Sequence, residues 1–206
     1  IGLNKHLEIL RERHPVLSPC VDTIEQAFTV MLSSLQGEGT LFLAGNGGSA
    51  ADADHWSGEL LKGFCKLRPL PEEARSRLRP ELADKLQGGI RAIPLTGFPA
   101  FTTAFSNDVD PGLVWAQLVH TLGRKHDVFI GLSTSGNAKN VCFAAEAARA
   151  RNLTVIGLTG QHGGTLKGLC DLCICVPATE TFHVQELHLP VYHCLSLMLE
   201  DEFFDA

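Results

Sequence analysis

Two hydrophobic rhythms alternate along this chain. From Val21 to Leu35 the apolar residues Ile24, Ala27, Phe28, Met31 and Leu35 recur at helical spacing along one face. Residues 1–18 are mixed and charged, so residues 1–37 read as an N-terminal helical arm that covers one side of a sheet or packs on another subunit. Short apolar runs of strand type then begin with Leu41-Phe42-Leu43-Ala44 and return at Ile90–Leu95, Asp127–Leu132, Leu153–Leu158 and Leu172–Val176. Helical stretches separate them. One carries Ala50 to about Lys62, one starts near Pro111 and runs to about Arg124, one spans Ala138–Arg151, and the last spans about Thr181–Phe204. Strands alternating with helices predict an α/β three-layer sandwich, a parallel sheet covered by helices on both faces.

One stretch breaks the rhythm. From Phe64 to Gly89 prolines and charges accumulate, as in Arg68-Pro69-Leu70-Pro71-Glu72-Glu73 and Leu78-Arg79-Pro80-Glu81. Residues 64–89 therefore predict a surface insertion with a short helix or two, or else a lid or an oligomer contact. The rest, over 1–206, reads as a single domain of a size that buries one good core.

Composition narrows the function. A formal charge of −6 and a pI near 5.8 argue against a nucleic-acid surface driven by bulk charge. No apolar run approaches the roughly 20 residues that cross a bilayer, and no signal-peptide pattern opens the sequence. A soluble, cytoplasmic protein is expected, with no nucleic acid and no membrane among its partners. Seven cysteines, an odd number read as having no C-x-x-C spacing, fit reduced thiols better than a disulfide framework or a zinc ribbon. Cys173 and Cys175 are expected as buried strand residues.

The candidate chemistry lies at the strand ends. After the first strand, Gly45-Asn46-Gly47-Gly48-Ser49 leads into a helix, and such a turn lets an anion approach the backbone and the first-turn N–H groups. His55 and Glu59 follow at i and i+4, on one face and roughly 6 Å apart, a pair that can hold a metal or move a proton. A second loop, Ser133-Thr134-Ser135-Gly136-Asn137, puts three hydroxyls between a strand and a helix, which suits a phosphate. Both loops fall at the carboxyl ends of parallel strands, where open α/β sheets bind ligands. The last helix carries His183, Gln185, His188 and His193 in an otherwise apolar pattern. Gln185 and His193 are eight residues apart, roughly 12 Å along a straight helix. Either Pro190 bends that helix or the two residues serve sites in different subunits; His183 and His188 read as structural.

These motifs, with Leu158-Thr159-Gly160 before Gly163-Gly164 and Val184-Gln185-Glu186-Leu187-His188 before His193, resemble the sugar-isomerase (SIS) domain of phosphoheptose isomerases over about residues 20–204. The resemblance implies a five-stranded parallel sheet of flavodoxin-like order and a homotetramer with sites at subunit contacts. It also implies interconversion of sedoheptulose 7-phosphate and D-glycero-D-manno-heptose 7-phosphate. By the same resemblance, Asn46, Gly47, Gly48, Ser49, Asn107, Asp108, Ser133, Thr134, Ser135 and Gln185 contact substrate. Zinc is implied at His55, Glu59, Gln185 and His193, and Glu59 with His193 form the acid-base pair, His193 coming from a neighbouring subunit.

The chain departs from that pattern at three places. Ala138 replaces a further phosphate-contacting serine, His183 stands where arginine is common, and the 64–89 insertion is longer than in the simplest members. They leave two further readings: an isomerase of another ketose or amino-sugar phosphate, and a non-enzymatic regulator of the same fold that binds proteins. Glu59, Gln185 and His193 speak against the last, because a scaffold has no use for acid-base groups beside a phosphate cradle.

Overall fold

The computed structural model describes residues 4–204; residues 1–3 and 205–206, at the ends of the expected arm and domain, lie outside the described residues. The arm consists of α1 (Lys5–Arg13), a 3-10 segment at Pro15–Cys20 and α2 (Val21–Gln36). Then follow β1 (Leu41–Gly45), α3 (Gly48–Leu61), α4 (Glu72–Arg75), α5 (Pro80–Lys85), β2 (Ala92–Pro94), α6 (Pro99–Asp108) and α7 (Val114–Leu122). The chain continues through β3 (Val128–Ser133), α8 (Lys139–Ala150), β4 (Thr154–Thr159), α9 (Gly164–Lys167), β5 (Leu172–Cys175) and α10 (Thr181–Phe203). The five strands are all parallel, in the order β2-β1-β3-β4-β5. The sequence pattern had not separated α6 and α9 from loop.

Alternation along the strands builds the two cores. Leu41 and Leu43 of β1, Ile130 of β3 and Ile156 of β4 pack under α1, α2, α3 and α10. Phe42, Ala44, Phe129 and Val155 point the other way, onto α7, α8 and α9. The arm thus covers one face of its own sheet, with Leu7, Leu17, Ile24 and Met31 fully buried.

The strand order reverses direction between β1 and β3, which opens a crevice at their carboxyl ends, and the loops into α3 and α8 flank it. On one side of that crevice α3 and α10 run parallel in a fixed register. Gly48 faces Gln185, His55 faces Tyr192, and the chain just past α3 reaches Glu200.

The insertion is mostly exposed, with two short helices closed by an antiparallel bridge between Pro69 and Gln87. Its root is not loose. The Arg68 guanidinium is buried, donates from Nε to Glu200 Oε1 at 2.8 Å and from its Nη atoms to the carbonyls of Leu60 and Glu59, and lies over the Phe204 ring. Glu200 also accepts from the backbone of Phe64 and Cys65. One ion pair therefore ties the end of α3, the insertion and α10 together. Removing one partner leaves a buried charge unpaired, so Arg68→Leu is expected to lower unfolding stability by about 3–5 kcal/mol. Urea denaturation measures this, and a loss below about 1 kcal/mol contradicts the assignment.

Candidate active site

The first part of the site is the crevice between the β1 and β3 loops, a cavity of about 300 Å³. Asn46, Gly47, Gly48 and Ser49 form one wall, and Ser133, Thr134 and Ser135 the other. Gly47 has φ +55°, a conformation that suits only glycine, and it delivers the amino end of α3 to the cavity. Gly48 is needed for a different reason. A Cβ there would stand 2.5 Å from Gln185 Nε2, so the missing side chain is what lets α10 place its amide in the cavity wall.

The second loop holds its hydroxyls in working orientation. Ser133 Oγ accepts from Ala138 N at 3.4 Å and Ser135 Oγ from Asn137 N at 3.1 Å. With those lone pairs engaged by backbone, the hydroxyl protons are left to donate to an anion. Leu132, Ala138 and Thr181 complete the lining. Asn46 is fixed by Asn140 through a reciprocal amide pair at 2.9 and 3.0 Å, a partner the local pattern did not point to.

The second part lies farther along α3. His55 Nε2 is 3.1 Å from Glu59 Oε1, and the His193 ring is 5.2 Å from the His55 ring in the same chain. Phe64, at the root of the insertion, closes on His193 with ring centroids 5.3 Å apart. His193 was expected from a neighbouring subunit; here it reaches His55 of its own chain. Gln185 and His193 stand eight residues apart along α10, but α3 runs beside it with the same rise, so each meets α3 at its own level.

Behind this cluster is a relay that the sequence reading missed. Tyr192, the single tyrosine of the chain, stacks on Trp56 and places its hydroxyl 2.9 Å from His55 Nδ1 and 3.2 Å from Asp52 Oδ1. If the hydroxyl donates to Asp52, His55 Nδ1–H donates to Tyr192, and a neutral ring then turns an Nε2 lone pair toward the Glu59 carboxylate. Two acceptors at 3.1 Å require a proton or a metal ion between them. If the hydroxyl donates to Nδ1 instead, Nε2–H donates to Glu59 and Asp52 must carry the proton. Burial pushes Asp52 up in that direction, against the Tyr192 hydrogen bond and His55. Burial, with the charges of Asp52 and Glu59, holds the Tyr192 hydroxyl protonated, well above its ordinary range.

His193 is pushed below the usual imidazole range by burial first and His55 second, with Glu59 opposing. Its buried Nε2 has no partner among the described residues, an orphaned atom that a cation or substrate oxygen would satisfy. Two imidazoles and a carboxylate suit zinc chemically. Among the described residues, however, no group of three His, Cys, Asp or Glu side chains is already arranged to hold a metal ion. Gln185 sits at the cradle beside Gly48 rather than at His55. Asn107 and Asp108 end α6, are exposed, bond each other at 2.9 Å and do not line the cavity of a single chain. His183 is exposed and His188 is fully buried, its Nε2 3.3 Å from the Thr159 carbonyl.

The SIS domain family matches residues 109–198. The phosphoheptose isomerase of Rhodospirillum rubrum is 40% identical over 90% of this chain and 88% of its own length. This chain belongs to the phosphoheptose isomerase family. Among solved structures, the phosphoheptose isomerase of Neisseria gonorrhoeae superposes with a TM-score of 0.77 at 31% identity, covering 94% of each chain. That of Francisella tularensis gives 0.75 at 30% identity over 87% of this chain and 86% of its own. The phosphoheptose isomerase relatives and the geometry together make the chain an isomerase.

The buried His188 sets an acid limit on the fold. Burial lowers its pKa from 6.5 to about 4, with the Thr159 hydrogen bond opposing. The unfolded chain thus binds more protons below about pH 6.5, so this contribution is complete above that value and is lost as pH falls toward 4. The melting temperature of His188→Gln is expected to fall less steeply than wild type between pH 6.5 and 4. Parallel curves contradict the assignment.

Proposed function

We infer that the protein interconverts sedoheptulose 7-phosphate and D-glycero-D-manno-heptose 7-phosphate. One observation carries this reading beyond family membership: the anion cradle and the acid-base cluster lie on one side of α3, separated along its axis. Gly48 and His55 are seven residues apart, about 10 Å of helix. A heptose 7-phosphate likewise carries its phosphate at one end and its reacting carbonyl carbons at the other. The cradle holds the phosphate and supplies orientation, while chemistry proceeds two turns away.

Glu59 is the base that carries a proton between the two carbons. His193, its Nε2 without a protein partner, exchanges protons with the sugar oxygens as the enediolate forms and collapses. Tyr192 and Asp52 fix the His55 ring and keep Glu59 in place. We propose zinc as cofactor at His55, Glu59 and His193; Gln185, the fourth donor that the resemblance implies, stands at the cradle beside Gly48 and is assigned to the phosphate instead. When bound, the metal would polarise the carbonyl as a Lewis acid. A Glu59 oxygen or the His193 Nε2 bound to metal is not free to move a proton, so the metal-holding and acid-base roles of these two residues compete.

The functional assembly we propose is a cytoplasmic homotetramer with sites at subunit contacts. Support comes from the exposed apolar side chains Ile9, Leu189 and Phe182, and from an apolar groove between α1 and α10 that His193 lines. The Ala138 wall, one hydroxyl short, favours as second reading a related ketose or amino-sugar phosphate with looser phosphate contacts.

Glu59→Gln is expected to bind sedoheptulose 7-phosphate within a few-fold of wild type and to lose at least about 100-fold in kcat, followed by NMR of the product. Undiminished turnover removes Glu59 from the mechanism. Chelation is expected to lower the activity, and His55→Ala to lower the zinc bound per chain by elemental analysis; unchanged metal content contradicts the ligand set.

A further inference from the structure

All seven cysteines are free, and three of them gather beside β4. Cys173 and Cys175 share one face of β5, half-buried, with their sulfurs 3.6 Å apart. Cys170 ends the turn after α9. Its Sγ and that of Cys173 lie 2.7 and 3.1 Å from the point where a Cβ on Gly157 would stand, so the glycine makes room for two sulfurs. Cys170-Asp171-Leu172-Cys173 is a C-x-x-C spacing, which corrects the reading of the thiols as having none.

We propose that Cys170 and Cys173 form an oxidisable dithiol, with Cys173 as nucleophile and Cys170 as resolving thiol, whose closure is felt at the phosphate cradle. The dithiol stands independently of the proposed reaction; its readout rests on that reading.

The surroundings divide the roles. The neighbouring Cys170 thiol draws the Cys173 pKa down against burial, with further help from Thr159, Cys175 and the Lys167 charge. The proximity of Cys173, then burial, drives Cys170 upward and keeps it a thiol. A thiolate facing a thiol is the state from which disulfides form. With hydrogen peroxide as oxidant, the Cys173 thiolate attacks one oxygen, the O–O bond breaks, and the departing hydroxide takes a proton to become water. The sulfur is left as sulfenic acid. Cys170 then attacks that sulfur, giving up its proton; the S–S bond forms, the S–O bond breaks and a second water leaves. Two thiols and one peroxide become one disulfide and two waters.

The cradle feels this because α9 and Thr159 are bonded to it. Leu166 N donates to Gly136 O at 2.8 Å, Thr165 N to Asn137 Oδ1 at 2.9 Å, and Gly160 N to Thr134 O at 2.9 Å. Thr159 Oγ1 lies 3.5 and 3.4 Å from the sulfurs of Cys173 and Cys175. A bond that draws Cys170 onto Cys173 therefore pulls on the backbone that orients Ser133, Thr134 and Ser135.

The test uses the full chain with the exposed Cys65 replaced by Ser, to prevent links between molecules. Hydrogen peroxide treatment, alkylation and peptide mass spectrometry are expected to show a Cys170–Cys173 disulfide. The KM for sedoheptulose 7-phosphate should rise several-fold with little change in kcat, and dithiothreitol should reverse it. In Cys170→Ser, dimedone is expected to trap sulfenic acid at Cys173. The proposal is overturned if Cys170 and Cys173 stay reduced, if Cys173 pairs with Cys175 instead, or if the disulfide leaves KM unmoved. Disulfide mapping needs no turnover, so a failure of the isomerase reading is seen separately, as inactivity of the reduced protein.

Discussion

The parallel packing of α3 on α10 is the constraint on which the rest of the structure depends. It joins residues separated by 137 positions, His55 and Tyr192, through one hydrogen bond of 2.9 Å. Three levels are fixed at once: Gly48 against Gln185 at the cradle, His55 against Tyr192 and His193 at the acid-base cluster, and Arg68 against Glu200 where the insertion leaves α3. Each level uses a different force. Absence of a side chain sets the first, a shared hydroxyl and aromatic packing the second, and a buried ion pair the third. A shift of either helix by one turn, about 5.4 Å, would break all three.

The cradle is built without a cationic side chain among its lining residues, in a chain of net charge −6. The phosphate binding proposed there would rest on neutral donors: serine and threonine hydroxyls, the Gln185 amide and the amino ends of α3 and α8. Such a site depends on geometry more than on bulk charge. That explains why so much of the surrounding structure, from the Asn46–Asn140 amide pair to the glycines of the β4–α9 loop, is spent holding two loops still.

Much of this was legible in the sequence. The strands were readable because short apolar runs bounded by glycine or polar loops have few other uses, and both cradle loops followed from their place after strands. His55 and Glu59 were readable as a pair because helical spacing alone puts them on one face. What escaped was non-local. Nothing near Tyr192 or Asp52 announces that they meet, and Asn140 finds Asn46 only after β1 and β3 pair. The separation of Gln185 from His193 looked prohibitive until a second helix of equal rise lay beside the first. The short helix α6 was hidden by weak amphipathicity, all its residues being partly or fully exposed, so Asn107 and Asp108 were read without their element. The N-terminal segment was readable as helix, but only the fold placed it against its own sheet.

The central claim is that one ligand spans the cradle and the acid-base cluster along α3. The most direct measurement is a crystal structure with the reduced, unreactive polyol of sedoheptulose 7-phosphate. The account predicts its phosphate between the Asn46–Ser49 and Ser133–Ser135 loops, with the hydroxyls on its first two carbons within hydrogen-bond reach of Glu59 and His193. A phosphate bound elsewhere, or a sugar chain that leaves Glu59 and His193 untouched, would contradict it.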